Sequence, residues 1–460
     1  MLSRIILRII LFSLVLGCNA QEPKKETTTT ETTAQHIVVK PENFAKAEVI
    51  KKINCTADAS QSYALYLPKD YNAETKKGAI FFFDPHGDGA LPLEKYKSLA
   101  ESLNFIFVGS NNSKNGNDWP TTQNVCDALF SDCQKRLNID AQQIYVVGFS
   151  GGAKVACYAL SQFGFVSGAL AQSAMLPIQT NNLQSKKSIV GMAGTSDMNY
   201  TDVVNGMDAL SENIFTKRTL LFHGKHEWCS VNDMETGLQS LMLMSKNIEN
   251  KNILVSFEKN ILQKIKTESD LILKVQYLKT ANDLLTGKSN VSVFAKQLNE
   301  ITNSAEYNKQ LRIQQTLLTE ENSIKNQIGD QISRGDIASI EKTYDEIEPK
   351  SKMRTPQSAM YSRVAGYMSL AAYSLSNRNL YTNPAEAARW VSLYKHVDKT
   401  NTEAWYFGAI VNMQQNNEAN AVADMLKAIG LGFNDVQRFA KEPALASLNN
   451  NPSVAAAWKK

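Results

Sequence analysis

One short stretch constrains the fold of this chain more than any other: residues 144–160, which read IYVVGFSGGAKVACYAL. Four apolar residues lead into a turn in which Ser150 stands between Gly148 and Gly152, and a run with helical spacing follows. The pattern predicts a buried strand that passes through a tight turn directly into a helix. Small residues on both sides of the serine allow a strained backbone, with the hydroxyl standing clear of the sheet edge.

Short apolar runs alternate with helical stretches over residues 60–225. The amphipathic sequences LEKYKSLAESL and TTQNVCDALFSDCQKRL separate several of these runs. Near-continuous apolar runs are typical of strands buried on both faces, and their alternation with helices predicts a mostly parallel α/β sheet covered by helices on both faces. The expected strands lie within residues 62–68, 79–85, 105–111, 144–150, 167–173, 188–194 and 219–224.

After about residue 245 the strand patterns give way to helical ones. Residues 246–350 mix Lys, Glu, Gln and Asn with Leu and Ile, which predicts long polar helices. Residues 351–460 contain two sets of small and apolar side chains spaced by the tetratricopeptide period, Ala387, Val391 and Tyr394 and then Ala421, Met425 and Ala428. We therefore expect an all-α part with tetratricopeptide-like repeats over 351–460; a plain helical bundle is the alternative.

The first residues predict a targeting segment. Two arginines precede an apolar run that is too short to span a bilayer and that ends close to Cys18. Residues 1–18 resemble a bacterial lipoprotein signal peptide, which implies a lipid on Cys18 and anchoring in the bacterial cell envelope, at the outer membrane on its periplasmic or surface face. Cleavage after Ala20, giving a soluble secreted protein, is the alternative. Residues 19–36 have almost no apolar content and predict a disordered tether.

Composition argues against several other classes of protein. The net charge is +4 and the basic residues are dispersed, so we expect no nucleic-acid partner. Five cysteines remain besides Cys18, and an odd number argues against a full disulfide framework, so most are expected to be small buried side chains. No Cys or His spacing is typical of zinc, and we expect neither a metal nor an organic cofactor.

A serine nucleophile requires a base, and in a strand–turn–helix architecture an acid follows the serine and a histidine follows the acid. Two histidines follow Ser150 in the α/β part: His223 at the end of a predicted strand and His226 in the loop beyond it. We favour His226, because a loop after a strand can bring an imidazole to the serine, whereas His223 is more typical of a structural side chain.

The acid is expected just beyond a strand that lies between the serine and the histidine. Asp197 comes three residues after an apolar run that ends at Gly194. Its role would be to fix the imidazole tautomer and to stabilise the imidazolium. Asp202 and Asp208 are the alternatives, and they lie further from any strand end.

Backbone N–H groups of two turns are candidates for binding a negatively charged oxygen. Gly151 opens the helix after Ser150, where helix N–H groups point towards the serine. The sequence FFFDPHGDGA has a glycine-bearing turn after its strand, and we expect Gly87 or Asp88 to supply the second N–H. His86 lies upstream of Ser150 and is expected to order this loop.

Residues 60–240 resemble an α/β-hydrolase of the polyhydroxybutyrate-depolymerase and feruloyl-esterase-like branch. The resemblance lies in FFFDPHGDG, VGSNNSKNG, NIDAQQIYVVGFSGGAKVA, GTSDMNY and HGKHEW, which occur in the right order and cover well under half of the chain. It implies an α/β-hydrolase fold, over residues 37–245 in our division of the chain, and a catalytic triad of Ser150, Asp197 and His226.

The chain departs from this family next to the histidine. Members often have Gly-Gly-His-Glu-Trp-Pro, whereas this chain has Lys225 before His226 and Cys229 after the tryptophan. The substitutions alter the shape of the loop and retain the imidazole.

The expected function is that of a serine esterase that works through an acyl-enzyme on a small-molecule or polymer ester; a peptidase is a weaker hypothesis. Residues 109–120 would help form the substrate mouth, with Trp119, Trp228 and Asn111 as candidate pocket residues and core packing as the alternative for the tryptophans. A different class of function is a non-catalytic envelope scaffold that binds a protein partner through its helical repeats.

Overall fold

Eight strands form one sheet in the computed structural model, which describes residues 42–180, 183, 185–245 and 251–458. The predictions of a signal peptide over 1–18, a lipid on Cys18 and a tether over 19–36 lie outside the described residues. The strands are β1 (Val49–Asn54), β2 (Ser62–Tyr66), β3 (Lys77–Phe83), β4 (Ile106–Ser110), β5 (Ile139–Phe149), β6 (Gly168–Gln172), β7 (Lys187–Gly194) and β8 (Phe215–Phe222).

The strands lie side by side in the order β1-β2-β4-β3-β5-β6-β7-β8. β2 runs antiparallel to both of its neighbours, and all pairs from β4 to β8 are parallel. This is the α/β-hydrolase fold. From β3 the chain crosses outward to β4 and then returns to β5 on the other side of β3, so the carboxyl ends of β3 and β5 meet at a topological switch point. Ligand sites in open α/β sheets lie at such points.

All seven strands expected from the sequence are present, and β1 is an additional one. The buried runs explain the agreement: the central strands are apolar on both faces, and Phe81, Phe82 and Phe83 are inaccessible to solvent. β1 reads VIKKIN and lies at the edge of the sheet with both lysines exposed. Charged side chains protect an edge strand from aggregation, and they also remove the apolar pattern by which a strand is recognised.

Four helices connect the strands and a fifth follows β8, and together they cover both faces of the sheet. Asp118 caps α2 by accepting a hydrogen bond from the backbone N–H of Thr121, and Ser230 caps α5 in the same way through Asp233. The helices are α1 (Ala90–Leu103), α2 (Trp119–Arg136), α3 (Gly151–Gln162), α4 (Tyr200–Ala209) and α5 (Val231–Met244).

The rest of the described chain is helical. We call residues 251–458 the helical region and residues 42–245 the sheet region. The helices are α6 (Lys251–Thr267), α7 (Leu271–Leu285), α8 (Ser292–Thr302), α9 (Ala305–Ser333), α10 (Ile337–Ser351), α11 (Ser358–Asn379), α12 (Pro384–Val397), α13 (Thr402–Gln414), α14 (Glu418–Gly430), α15 (Val436–Lys441) and α16 (Pro452–Ala457), with a 3₁₀ helix at Pro443–Asn450. No helix of the described residues is long and apolar enough to cross a bilayer.

Helices α6–α8 share their hydrophobic core with the sheet. Phe257, Leu278 and Phe294, one from each helix, are buried in the same cluster as the strands. α7 also protects the edge strand β8, because Gln276 hydrogen-bonds both the N–H and the carbonyl of Leu221 at 3.0 and 3.2 Å. The core of the sheet region therefore extends well past residue 245.

A second core holds α10–α14 and the end of the chain together. α9 joins the two cores, since Leu318 packs against the first and Ile328 is buried in the second. The six residues of the proposed repeat are all buried, three of them on α12 and three on α14. Their burial is compatible with tetratricopeptide-like hairpins, and that classification stays a prediction.

Asp132 is a buried carboxylate that fastens the β1 edge to α2. It accepts hydrogen bonds from the backbone N–H and hydroxyl of Thr56 at 2.7 and 2.6 Å, from the Tyr63 hydroxyl at 2.9 Å and from Arg136 at 3.0 Å. Burial raises the pKa of this carboxyl, but the hydrogen bonds and the guanidinium outweigh it, and the pKa lies below its ordinary value.

The depressed pKa of Asp132 predicts a loss of stability in acid. Its contribution is present above the ordinary aspartate pKa of about 4 and is lost as the pH falls through the lower folded value. Asp132→Asn should reduce the free energy of unfolding at pH 7 by about 1–3 kcal/mol and flatten its decline below pH 4. Urea unfolding from pH 2 to 7 measures both, with Asp127→Asn on the exposed face of α2 as the control. If the free energy of unfolding fell equally steeply below pH 4 in Asp132→Asn and in the wild type, the prediction would be contradicted.

Candidate active site

Ser150 stands at the turn between β5 and α3, in the backbone conformation that a close strand–helix turn imposes. Its φ is +53° and its ψ is −120°, and its N–H donates to the carbonyl of Gln172 at 2.9 Å. A Cβ on Gly148 would lie 2.0 Å from the Gly152 carbonyl oxygen, and a Cβ on Gly152 would lie 1.9 Å from that of Phe83. Only glycine fits at these two positions, so the spacing of the motif follows from the close approach of strand, turn and helix.

The side chains of Ser150, His226 and Asp197 meet above the carboxyl ends of the strands. His226 Nε2 lies 3.0 Å from Ser150 Oγ, and Nδ1 lies 2.9 Å from Asp197 Oδ1. Asp197 is 0% exposed and the imidazole is partly exposed, so a substrate can reach the serine side of the arrangement while the acid is excluded from water. The serine hydroxyl can pass its proton to an imidazole whose orientation the carboxylate fixes.

A tight turn after β7 orients Asp197. Its N–H donates to the carbonyl of Gly194 at 3.0 Å, and the N–H of Asn199 donates to Oδ1 at 2.8 Å. The Asn199 amide reaches the carbonyl of Ser173 at 2.8 Å and so joins the turn to the end of β6. Asp197 Oδ1 therefore accepts two hydrogen bonds, one from the backbone and one from the imidazole.

The alternative acid and base residues lie away from this arrangement. His223 is largely exposed and contacts Glu268 at 3.2 Å. Asp202 accepts a hydrogen bond from the N–H of Met175 at 3.1 Å, and Asp208 is exposed on α4. The structure thus brings together the residues favoured from the sequence and separates the ones given as alternatives.

Gln172 holds the loop that bears His226, residues 223–230, which we call the histidine loop; the sequence analysis missed this residue. Its side-chain amide donates to the carbonyl of Glu227 at 2.6 Å and accepts from the N–H of Cys229 at 3.3 Å, on the two sides of Trp228. Its backbone carbonyl binds Ser150, so one fully buried residue ties the serine turn to the histidine loop. The sequence offered one signal for this role, the glutamine at the end of the apolar run GALAQ. A buried side-chain amide needs polar partners, so it indicates contacts with neighbouring loops.

Trp228 is packed in the core, which was the alternative to its assignment to the substrate pocket. The residue is 6% exposed, its indole N–H donates to the buried carboxylate of Asp84 at 2.9 Å, and its ring contacts Phe149 and Tyr96. Burial raises the pKa of Asp84, but hydrogen bonds from His86 and Trp228 bring it below its ordinary value. Trp228 supports the histidine loop from behind.

The other two candidate pocket residues differ in their surroundings. Trp119 is 47% exposed and stacks on Tyr158, with ring centroids 5.0 Å apart. Asn111 accepts a hydrogen bond from the N–H of Gly89 and donates to the carbonyl of Lys51, both at 3.1 Å. The Asn111 side chain joins loops to the edge strand, and the assignments of Asn111 and Trp119 to the pocket stay predictions.

The two candidate oxyanion donors in the loop after β3, Gly87 and Asp88, differ in whether the backbone N–H is already used in the turn. The N–H of Gly87, whose φ is +75°, donates to the carbonyl of Asp84 at 3.2 Å and is used within the turn. The carboxylate of Asp88 accepts from the first backbone N–H groups of α1. Because the Gly87 N–H is used within the turn, the backbone N–H of Asp88 is the better candidate beside Gly151. His86 contacts Asp84 at 3.2 Å, and this hydrogen bond raises its pKa above the ordinary value.

Asn115 lies over the serine turn and was not singled out from the sequence. A Cβ on Gly151 would lie 1.8 Å from its Oδ1, so the two residues are in close contact beside Ser150. The N–H of Asn115 donates to the carbonyl of Pro85 at 2.8 Å, which joins the segment 109–120 to the loop after β3. The predicted substrate mouth thus contributes a polar side chain next to the serine.

Within the described ranges, no group of three or more His, Cys, Asp or Glu side chains is arranged to hold a metal ion. The five cysteines among these residues are buried and unpaired. Burial raises the pKa of the Cys157 thiol to about 11 and that of Cys229 to about 12, which keeps both protonated and unreactive.

Comparison with known proteins adds limited information. No protein-family model matches the sequence, and no curated protein matches it. Among solved structures, a ferulic acid esterase is 14% identical, with 39% of this chain and 91% of that chain covered and a TM-score of 0.32. A Bacillus cereus carboxylesterase is 16% identical, with 40% and 94% covered and a TM-score of 0.32. A Staphylococcus aureus fluorophosphonate-binding serine hydrolase is 13% identical, with 36% and 86% covered and a TM-score of 0.30.

These similarities are confined to well under half of the chain, and at such identities and TM-scores they carry no argument about its activity. The feature that bears on it most directly is the unbroken contact from Ser150 through His226 to Asp197.

Proposed function

We propose that this protein is a serine hydrolase that cleaves carboxylic esters through an acyl-enzyme. The observation that supports it is the pair of contacts, 3.0 and 2.9 Å long, that connect Ser150 Oγ to the imidazole of His226 and the imidazole to Asp197. These contacts lie at the switch point of the sheet, where ligands bind in open α/β sheets. The imidazole is partly exposed and the serine stands on a strained turn, so a ligand can reach the nucleophile.

In the proposed reaction His226 accepts the proton of Ser150 Oγ while the oxygen attacks the ester carbonyl carbon. The negative charge on the tetrahedral intermediate is bound by the N–H groups of Gly151 and Asp88, and Asp197 stabilises the imidazolium. Collapse breaks the bond to the alcohol oxygen, which takes the proton from His226. A water molecule then gives a proton to His226 and attacks the acyl carbon. The bond from this carbon to Ser150 Oγ breaks, Oγ takes the proton back from His226, and the acid leaves.

Esters are proposed in preference to amides because an alkoxide leaves more easily than an amine anion. The proposed substrate is a small-molecule or polymer ester, and the mechanism uses only protein groups and water. We further propose that a lipid on Cys18 anchors the enzyme in the bacterial cell envelope and that the helical region is available to a protein partner.

Covalent labelling tests the proposal. An alkyl fluorophosphonate should modify the wild-type protein on Ser150, because the activated hydroxyl displaces fluoride from phosphorus, and Ser150→Ala should give no labelled band. Ser161→Ala is the matched control on the same helix, since its hydroxyl donates only to the Tyr158 carbonyl at 2.8 Å. Folded wild-type protein that fails to react would refute the enzyme and favour a non-catalytic scaffold.

A further inference from the structure

The turn that bears Asp197 is held from outside the sheet region. We call residues 195–200 the acid loop. Arg363 on α11 donates through Nη1 to the carbonyl of Thr195 at 2.6 Å, and Lys325 on α9 donates to the carbonyl of Met198 at 3.2 Å. The two carbonyls flank Asp197, so two cations of the helical region hold the loop on either side of the acid.

A buried carboxylate fixes both cations. Glu321 on α9 is 0% exposed; its Oε2 accepts from Nε of Arg363 at 2.9 Å and also contacts Nη2, and its Oε1 lies 2.7 Å from the ammonium of Lys325. We call these three residues the Glu321 cluster. A buried ion group is a weak source of stability, because desolvation offsets the attraction. The effect of the cluster here is geometric. Because Arg363 and Lys325 both bind Glu321, each cation is held in one position, and in that position it also hydrogen-bonds a carbonyl of the acid loop.

Close packing completes the contact. The Arg363 guanidinium lies over the ring of Tyr200 at 4.7 Å, and Gln314 donates to the Tyr200 hydroxyl at 3.1 Å. A Cβ on Gly366, one turn after Arg363, would lie 3.1 Å from the Cβ of Met198. The acid loop is therefore covered by α9 and α11 with no room for a larger side chain at this point.

The sheet region by itself restrains only part of this loop. Within the sheet region the N–H of Thr195 donates to the carbonyl of Phe222 at 2.8 Å and the N–H of Ser196 donates to the carbonyl of Gly224 at 2.9 Å. The carbonyl of Thr195 is bound by Arg363 instead. Arg363 and Lys325 add restraints on the carbonyl side of the peptides that flank Asp197, and a shift of these peptides would move Asp197 relative to His226. A shift of about 1 Å at a catalytic group can cost about 100-fold in rate.

We propose that the Glu321 cluster positions the acid loop, so that Arg363 is a positioning residue for the Asp197–His226 pair and the helical region completes the active site. The inference rests on the proposed function of the triad. It assigns to α9 and α11 a part in turnover that is separate from any binding of a partner.

Kinetics of the full-length protein on p-nitrophenyl acetate test the proposal. Arg363→Gln should lower kcat about 10- to 100-fold with little change in KM, because the substrate does not contact Arg363. Arg363→Lys should retain more activity than Arg363→Gln, since an ammonium can still reach Glu321. Gly366→Leu should lower kcat in the same way by displacing Met198, and it leaves every charge in place.

The matched control is a second, partly buried ion pair of the helical region. Lys395 on α12 binds Asp424 on α14 at 2.8 Å, and neither residue touches the acid loop. Lys395→Met should lower the Tm and leave kcat unchanged. Wild-type kcat in folded Arg363→Gln and Gly366→Leu would overturn the proposal, and so would an equal fall in kcat for Lys395→Met. If Arg363→Gln does not fold, Gly366→Leu decides.

A readout without turnover separates this inference from the proposed function. The Nδ1 proton of His226, held against Asp197, should give a low-field proton NMR signal in the wild type that weakens or moves in Gly366→Leu and stays in Lys395→Met. If the wild-type protein were not labelled by the fluorophosphonate but the three proteins still gave these NMR signals, the hydrolase proposal would be refuted and the positioning role would be upheld. An identical signal in wild type and Gly366→Leu would overturn the positioning role whatever the activity.

Discussion

Replacing His226 by alanine should lower kcat for ester hydrolysis about 10⁶-fold, the size of effect expected when the base of a serine nucleophile is removed. The imidazole is the group in contact with Ser150 Oγ, at 3.0 Å, so the hydroxyl of the variant keeps its proton when it meets the ester. Single-turnover kinetics with p-nitrophenyl acetate measure the acylation step directly. The Ser150→Ala,His226→Ala double variant should be no worse than either single variant, because the two residues act as a unit.

His223→Ala is the control for this prediction. It removes the neighbouring imidazole, which faces Glu268 on the surface, and should leave kcat unchanged. A loss of activity in His223→Ala equal to that in His226→Ala would mean that the loop, and not one imidazole, is required.

Replacing Asp197 by alanine should lower kcat about 10⁴-fold, because the imidazole loses both its orientation and its counter-charge. Asparagine should be milder than alanine. The reason is local: Oδ1 accepts from the N–H of Asn199 as well as from His226, while Oδ2 has no hydrogen-bond partner. The backbone N–H therefore holds the asparagine oxygen towards the imidazole, and only the charge is lost.

The asparagine variant has its own cost in stability. Its amide nitrogen takes the place of a buried oxygen without a partner, which should lower the free energy of unfolding by about 1–3 kcal/mol. Steady-state kinetics and urea unfolding of both variants, with Asp208→Asn as an exposed control, separate the two effects. Equal kcat for Asp197→Asn and Asp197→Ala would show that the amide has turned its nitrogen to the imidazole and that the acid acts through the tautomer.

The strands and the serine turn were predictable because their causes are local. The glycines at 148 and 152 are required by contacts with residues of the same strand–turn–helix unit and of the adjacent strand. Long apolar runs can be satisfied only in a sheet buried on both faces. The order of serine, acid and histidine along the chain follows from the successive strand ends of that sheet, so Asp197 and His226 could be proposed before their contact was seen.

Side chains with two possible environments were not predictable in this way. Trp228 has an apolar ring and a polar N–H, and its sequence neighbours are equally compatible with a pocket wall and with the core. The buried carboxylate of Asp84, distant in sequence and close in space, supplies the hydrogen bond that places the indole inside. Gln172 was overlooked for the same reason, since its partners come from the loop beyond β8.

By itself, the sequence determined the sheet, the turn at Ser150 and the order of the residues that meet it, because each depends on hydrophobic period or on steric contact over a short range. Only the tertiary structure decided that the helical region reaches the acid. Glu321 and Lys325 lie in a helix whose charged sequence is typical of a solvated surface, and Arg363 meets Thr195 across 168 positions of the chain. Their burial depends on how α9 and α11 pack against the sheet region, and no local pattern of charges encodes that packing.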